Sequence, residues 1–167
     1  MKAVLGLGAN LGDRGEALRK ALGFLNALPE TRVTKCSGIY ETAPVGVNGD
    51  QPDYLNCAAE LETEFSPHVL LGMCLGIETA LGRVRKGFKS PRTLDIDLLM
   101  CADGEKQILS NTKELTLPHP LMLERAFVLV PLLEIYPDGM VFGTDIRPAI
   151  EKTAGQRIER TGEGLQI

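Results

Sequence analysis

Apolar positions recur along this chain with two different periods. Residues 2–8, KAVLGLG, form a short apolar run ending in glycine, which predicts a buried strand. After a turn over 8–13 the period changes. Leu18, Ala21, Leu22, Leu25 and Leu28 recur at helical spacing, and Asp13 with Glu16 three residues on predicts a capping pair at the helix start. A second strand is predicted over 32–42 and a third over 55–63. Between them the loop APVGVNGDQPD, rich in Gly and Pro, is an irregular connection of the kind that lines binding sites. Ser66-Pro67 opens a second helix, with Ser as cap and Pro in the first turn. Its buried stripe is expected from Val69, Leu70, Met73, Cys74, Ile77 and Leu81, and its end at Gly82.

Residues 93–100 read as a strand, because Leu94, Ile96, Leu98, Leu99 and Met100 are apolar and Gly and Pro are absent. A turn over 102–106, a short strand over 107–109, a buried helix over 131–135, a short helix in IRPAIEKT and an edge strand in QRIERT complete the expectation. Strands alternating with helices predict an α/β (α+β) sandwich. No internal repeat or low-complexity segment interrupts it.

The chemistry concentrates at 82–100, GRVRKGFKSPRTLDIDLLM. Arg83, Arg85, Lys86, Lys89 and Arg92 precede Asp95 and Asp97, which a period of two puts on one face of their strand. Side by side they repel, so without a cation one carboxylate tends to take up a proton. A divalent cation removes that conflict, and it can bridge the same phosphate oxygens that a cationic loop holds. An exposed sheet edge would account for an isolated D-x-D. The arginine-rich loop before this one and the apolar strand around it favour a polyphosphate ligand.

The totals narrow the field. A chain of 167 residues fits one domain, 1–167, and buries roughly two thirds of its unfolded surface. A net charge of -4 argues against nucleic acid or a membrane surface as partner, so an anion must be held by a local patch, and 83–92 is the dense one. Cys36, Cys57, Cys74 and Cys101 lie far apart with no C-x-x-C, as expected of buried reduced thiols. The N-terminus does not read as a signal peptide, and no apolar run approaches a membrane span. A cytoplasmic enzyme, compatible with a monomer, is the expectation. Gly6-x-Gly8-x-x-x-Gly12 misses the dinucleotide fingerprint G-x-G-x-x-G.

Four further positions stay open on local grounds. Tyr54 and Asn56, two apart on a strand, offer a ring to stack on a flat heterocycle and a carboxamide to pair with its edge, although a tyrosine taken alone is more often a core residue with a satisfied hydroxyl. Glu78, near the end of the second helix, reads as a solvated residue or a ligand contact. His119 lies between Pro118 and Pro120, which restrict its backbone, and is either structural or a phosphate donor.

The run Gly82-Arg83-Val84-Arg85, followed by Pro91-Arg92-Thr93-Leu94-Asp95-Ile96-Asp97, resembles the signature of the 6-hydroxymethyl-7,8-dihydropterin pyrophosphokinase family. YETAPVG at 40–46, QPDYLN at 51–56 and LTLPH at 115–119 are similar to its other motifs, in the same order, so the resemblance spans roughly 3–150. It implies a ferredoxin-like core, with a mostly antiparallel central sheet and helices on both faces. It also implies Mg-dependent transfer of diphosphate from ATP to the hydroxymethyl group of 6-hydroxymethyl-7,8-dihydropterin, releasing AMP, in tetrahydrofolate biosynthesis. Asp95 and Asp97 would then bind two Mg2+ ions, with Arg83 and Arg92 as further catalytic groups. Glu78, Arg85, Thr116, His119 and Arg125 would face the nucleotide, ATP being a co-substrate. Thr42, Pro44, Val45, Tyr54, Asn56 and Phe127 would hold the pterin.

The chain departs from the family pattern in places. Phe88-Lys89-Ser90 occupies a loop one residue shorter, and Leu75, Glu114 and Pro120 replace a Gln, a basic residue and a Tyr common there, which bears on nucleotide affinity. Rival classes with a D-x-D strand fit less well. A sugar-nucleotide transferase leaves Tyr54 and Asn56 without a role, an aspartate phosphatase expects Thr or Val where Leu98 and Leu99 stand, and a non-catalytic binding module would be marked by loss of an aspartate.

Overall fold

The computed structural model describes residues 1–44, 51–82, 93–162 and 164–165. In chain order the elements are β1 (Lys2–Ala9), α1 (Arg14–Asn26), β2 (Thr31–Cys36), β3 (Tyr40–Thr42), β4 (Tyr54–Thr63), α2 (Pro67–Ala80) and β5 (Asp95–Asp103). There follow β6 (Lys106–Ile108), β7 (Ser110–Asn111), β8 (Thr116–Leu117), α3 (Ala126–Ile135), β9 (Met140–Val141), β10 (Thr144–Asp145), α4 (Arg147–Lys152) and β11 (Ile158–Arg160). A 3-10 turn, Met122–Glu124, leads into α3.

One seven-stranded sheet runs β11-β3-β4-β1-β5-β6, with β2 also on β4. Each of its pairings is antiparallel. The mostly antiparallel sheet expected is therefore present, and helices cover both faces. On one face Leu18, Ala21, Leu22 and Leu25 of α1 and Leu70, Cys74 and Ile77 of α2 pack on Leu5, Leu7, Cys57, Leu61, Ile96 and Leu98. On the other, Val128, Leu129, Leu132 and Ile135 of α3 pack with Ala149 of α4 on Val4, Ala58, Leu99 and Met100.

Two strands differ from expectation because residues are inserted in their ladders. The strand predicted over 32–42 is two strands, β2 and β3, laid end to end along β4. Cys36 pairs with Ala59 and Tyr40 with Asn56, so four steps face three, and Ser37-Gly38-Ile39 absorbs the extra residue. The Ser37 hydroxyl takes the Ala58 amide at 2.9 Å across that break, where a carbonyl would otherwise stand. β5 carries a bulge: Val4 pairs with Met100 but Leu5 with Leu98. Leu99 is the extra residue, and it re-phases the strand. Ile96 and Leu98 face α1 and α2, whereas Leu99 and Met100 face α3. Asp95 and Asp97, out of phase with Ile96 and Leu98, therefore share the α3 face.

The helices bring smaller corrections. Asp13 caps α1 by accepting the Glu16 amide at 2.9 Å, but the Glu16 carboxylate turns to Arg19 at 3.3 Å instead of back to the cap. Ser66 occupies the start of α2 without a side-chain cap bond. Val69 and Met73 are exposed at 44% and 37%; the buried line is Leu70, Cys74, Ile77 and Glu78. α2 is apolar nearly all round, so spacing alone did not separate the buried face from its flank. α3 begins five residues before the predicted 131–135, which places Phe127 in its first turn. Its Pro131 has no amide to give the Phe127 carbonyl. All four cysteines are free, Cys57, Cys74 and Cys101 buried and Cys36 half-buried.

Candidate active site

The site forms where β4, β1 and β5 lie abreast near the start of α3. Gly8 pairs with Asn56 on one side and Asp95 on the other, and Gly6 with Ala58 and Asp97. The central strand thus lies bare between a carboxamide and two carboxylates. The bareness is required at Gly8: a Cβ there would sit 2.9 Å from the Asn56 Oδ1 and 3.8 Å from the Tyr54 ring. Asn56 is buried, and its Nδ2 donates to the Thr42 Oγ1 at 2.8 Å, which sets the direction of the amide.

Asp95 and Asp97 are half-buried on their strand. The Arg125 guanidinium approaches the Asp97 Oδ2 at 3.6 Å and lies 5.5 Å from the centre of the Phe127 ring. His119 completes the group. Burial lowers its pKa, as does the Arg125 charge, against the pull of Asp97 and Asp95. Its Nδ1 accepts the Leu121 amide at 3.2 Å, so the neutral ring carries its proton on Nε2. Its backbone amide donates to the Leu99 carbonyl at 2.8 Å, which ties the histidine to the bulge of β5.

Glu78 approaches β5 from the opposite face. It is 2% exposed, and its Oε1 accepts the Ile96 amide, between the two aspartates, at 2.8 Å. β6 covers only Cys101 to Asp103, so this carboxylate serves part of the remaining edge of β5. Glu78, expected to face a nucleotide, is buried under the strand and holds its Ile96 amide. Thr116 is exposed on β8.

At the start of α3 a cavity of about 90 Å³ is lined by Thr42, Ala43, Pro44, Ala126, Phe127, Gln156 and Arg157. The chain entering β4 is pinned next to it. Buried Asn10 donates to the Pro52 carbonyl at 3.3 Å, and Arg14 reaches the Asp53 carbonyl at 2.6 Å and Glu41 at 2.9 Å.

Of the residues expected at the site, Asp95, Asp97, His119 and Arg125 come together, as do Thr42, Pro44 and Phe127, with Asn56 and Tyr54 alongside. Arg83, Arg85, Arg92 and Val45 lie outside the described residues. Sequence reasoning missed Gln156 and Arg157, which sit in a polar stretch with no motif, and the anchoring roles of Asn10 and Arg14. The G-x-N at 8–10 was the available signal for Asn10. Among the described residues no three His, Cys, Asp or Glu side chains are grouped to hold a metal ion, and no helix is long and apolar enough to cross a membrane. Paired carboxylate oxygens nevertheless suit a hard cation that completes its shell with water and substrate oxygens.

A carboxylate pair with the chemistry to accept a hard cation, set across a bare strand from hydrogen-bonding and aromatic side chains, suits a transferase that brings a charged donor to a flat acceptor. Comparison with known proteins makes that class specific. The family model described as 7,8-dihydro-6-hydroxymethylpterin-pyrophosphokinase (HPPK) matches residues 4–137. The 2-amino-4-hydroxy-6-hydroxymethyldihydropteridine pyrophosphokinase of Methylorubrum extorquens is 45% identical over 159 residues, 95% of this chain and 98% of that one. The Bacillus subtilis protein of the same name is 45% identical over 133 residues, 80% of this chain and 77% of its own. A solved structure of Plasmodium falciparum HPPK-DHPS, a triple mutant with pteroate, superposes with a TM-score of 0.66 at 16% identity. It covers 90% of this chain, which spans 43% of that longer one, and shows the shared fold. The chain belongs to the 7,8-dihydro-6-hydroxymethylpterin-pyrophosphokinase family.

Proposed function

We propose that the protein transfers the terminal diphosphate of ATP to the hydroxymethyl oxygen of 6-hydroxymethyl-7,8-dihydropterin, releasing AMP, as a step of tetrahydrofolate biosynthesis. Family membership supports the reaction class. The observation that carries the reading is the placing of Asp95 and Asp97 together on the α3 face, across Gly6 and Gly8 from Asn56.

Asp95 and Asp97 would hold two Mg2+ ions, which when bound offset the triphosphate charge and align it for in-line attack. Arg125 and His119 stand close enough to the carboxylates to meet phosphate oxygens, His119 as an Nε2–H donor. Arg83, Arg85 and Arg92 supply the remaining cationic contacts in this reading, with Arg83 and Arg92 meeting the charge that develops as AMP leaves. On the acceptor side Tyr54 and Phe127 offer rings to a flat heterocycle. Asn56, held by Thr42, reads the edge of that ring, and Thr42, Pro44 and Val45 line its approach. Thr116 and Glu78 belong to the nucleotide side, Glu78 through its grip on the Ile96 amide.

The test is to mix the protein with Mg-ATP and the hydroxymethyl dihydropterin and to identify the nucleotide product. AMP, with a diphosphorylated pterin, is expected. ADP would mark a simple kinase, and no pterin-dependent product would overturn the assignment.

A further inference from the structure

We propose that Gln156 is a positioning residue of the acceptor side, acting through the start of α3. The inference rests on the function proposed above. Arg125 occupies the capping position of α3, where its guanidinium, having donors only, cannot accept a helix amide and turns to Asp97. The cap comes from 30 residues further along the chain: the Gln156 Oε1 accepts the Ala126 amide at 2.9 Å. Its Nε2 donates to the Glu124 carbonyl at 2.8 Å. One carboxamide therefore holds the backbone on both sides of Arg125, which lies between them in extended conformation at φ -123, ψ 109. Phe127 lies two residues after Arg125, and Gln156 itself lines the cavity with it.

The chemistry calls for glutamine. A carbonyl and an amide flanking one residue need a donor and an acceptor side by side, which a carboxamide supplies and a carboxylate, with acceptors only, does not. The group that provides them is itself anchored. The Gln156 amide donates to the Thr153 carbonyl at 2.9 Å, and the buried Thr153 hydroxyl donates to the carbonyls of Ala149 and Ile150, each at 3.1 Å. Beyond it, β11 pairs with β3, and Arg160 reaches Glu134 of α3 at 3.0 Å. The segment is thus tied to α4 before Gln156 and to α3 after it. Gln156 thus supplies the acceptor that the Arg125 guanidinium, with donors only, cannot, while that guanidinium serves the carboxylates. Gln156 also lies past residue 137, where the family match ends.

The experiment is steady-state kinetics with Mg-ATP and the hydroxymethyl dihydropterin, AMP being the readout, on the wild type, Gln156→Ala, Gln156→Met, Phe127→Ala and the Gln156→Ala/Phe127→Ala double variant. Gln156→Ala should raise the pterin KM about tenfold, as expected for a lost pair of hydrogen bonds that hold a binding group, and change the ATP KM less. In the Phe127→Ala background the same change should add less than about twofold, because the two act as one unit. Gln156→Met, which keeps volume but not polarity, should match Gln156→Ala. An unchanged pterin KM in a folded variant, or effects that add fully with Phe127→Ala, would overturn the inference. So would failure of both Gln156 variants to fold, since the residue would then be structural. A wild type that forms no AMP brings down the proposed function and this inference with it; a competent wild type with indifferent Gln156 variants brings down this inference alone.

Discussion

The two faces of the central sheet are built from the same strands but to different ends. Against α1 and α2 the sheet presents Leu5, Leu7, Cys57, Leu61, Ile96 and Leu98, a continuous apolar surface met by one buried acid of α2, Glu78, which accepts the Ile96 amide. Against α3 the surface is divided. Val4, Ala58, Leu99 and Met100 are covered by α3, and then Gly6, Gly8, Asp95, Asp97 and Asn56 leave a polar floor beyond it. The bulge at Leu99 lies between these halves: it lets Leu99 and Met100 join the α3 core while the aspartates stay on that same face. One face is therefore committed to stability and half of the other left for the proposed chemistry.

That division is broken most sharply at the carboxylates. Asp97→Ala should lower kcat by roughly a thousandfold or more if it holds the metal, while the melting temperature changes little. A folded variant with normal turnover would refute the metal role. The converse change is Leu25→Ala, wholly buried on the α1 face. It should cost about 2–5 kcal/mol in urea unfolding and leave kcat of the folded fraction unaltered.

Glu78→Ala tests whether the stabilising face supports the chemical one. It strips the Ile96 amide of its partner, which should cost about 1–3 kcal/mol and lower turnover by loosening the strand between the aspartates; Glu78→Gln, which keeps the acceptor, should recover most of the stability. Glycine substitutions sharpen the contrast within the floor itself. An alanine methyl at Gly8 would meet the Asn56 amide at 2.9 Å, whereas at Gly6 it meets Leu99 at an ordinary 3.5 Å. Gly8→Ala should therefore raise the pterin KM about tenfold by displacing that amide, and Gly6→Ala should change it far less.

The smallest effect expected is one of pH, in the covered half of the α3 face. Burial pushes the Glu60 carboxyl up, but hydrogen bonds from Tyr136 and Thr34 and the Lys35 charge outweigh it and leave the pKa below its ordinary 4.5. A folded-state pKa that is depressed contributes stability above the ordinary value, and that stability is lost as pH falls through the lowered one. Tyr136→Phe, by removing one of those bonds, should flatten the acid limb of the stability profile below about pH 4.5 and leave the neutral pterin KM unchanged.

Much of this architecture is a consequence of local pattern, and there the sequence by itself was sufficient. Period two around Asp95 and Asp97 put them on one face, helical spacing named the buried residues of α1, and Gly82, at φ +85, ended α2 where a left-handed residue was needed. Those features depend on neighbours a few residues apart, which a linear reading contains. The split of 32–42 and the bulge at Leu99 were not legible, because an inserted residue shows only when the partner strand is laid beside it. Nor was the burial of Glu78, since a carboxylate near a helix end looks solvated until the strand it serves arrives from 18 residues away. The support of Arg125 by Gln156 is of the same kind. A carboxamide in a polar stretch carries no pattern, and only the folded chain decides which carbonyl and which amide it meets.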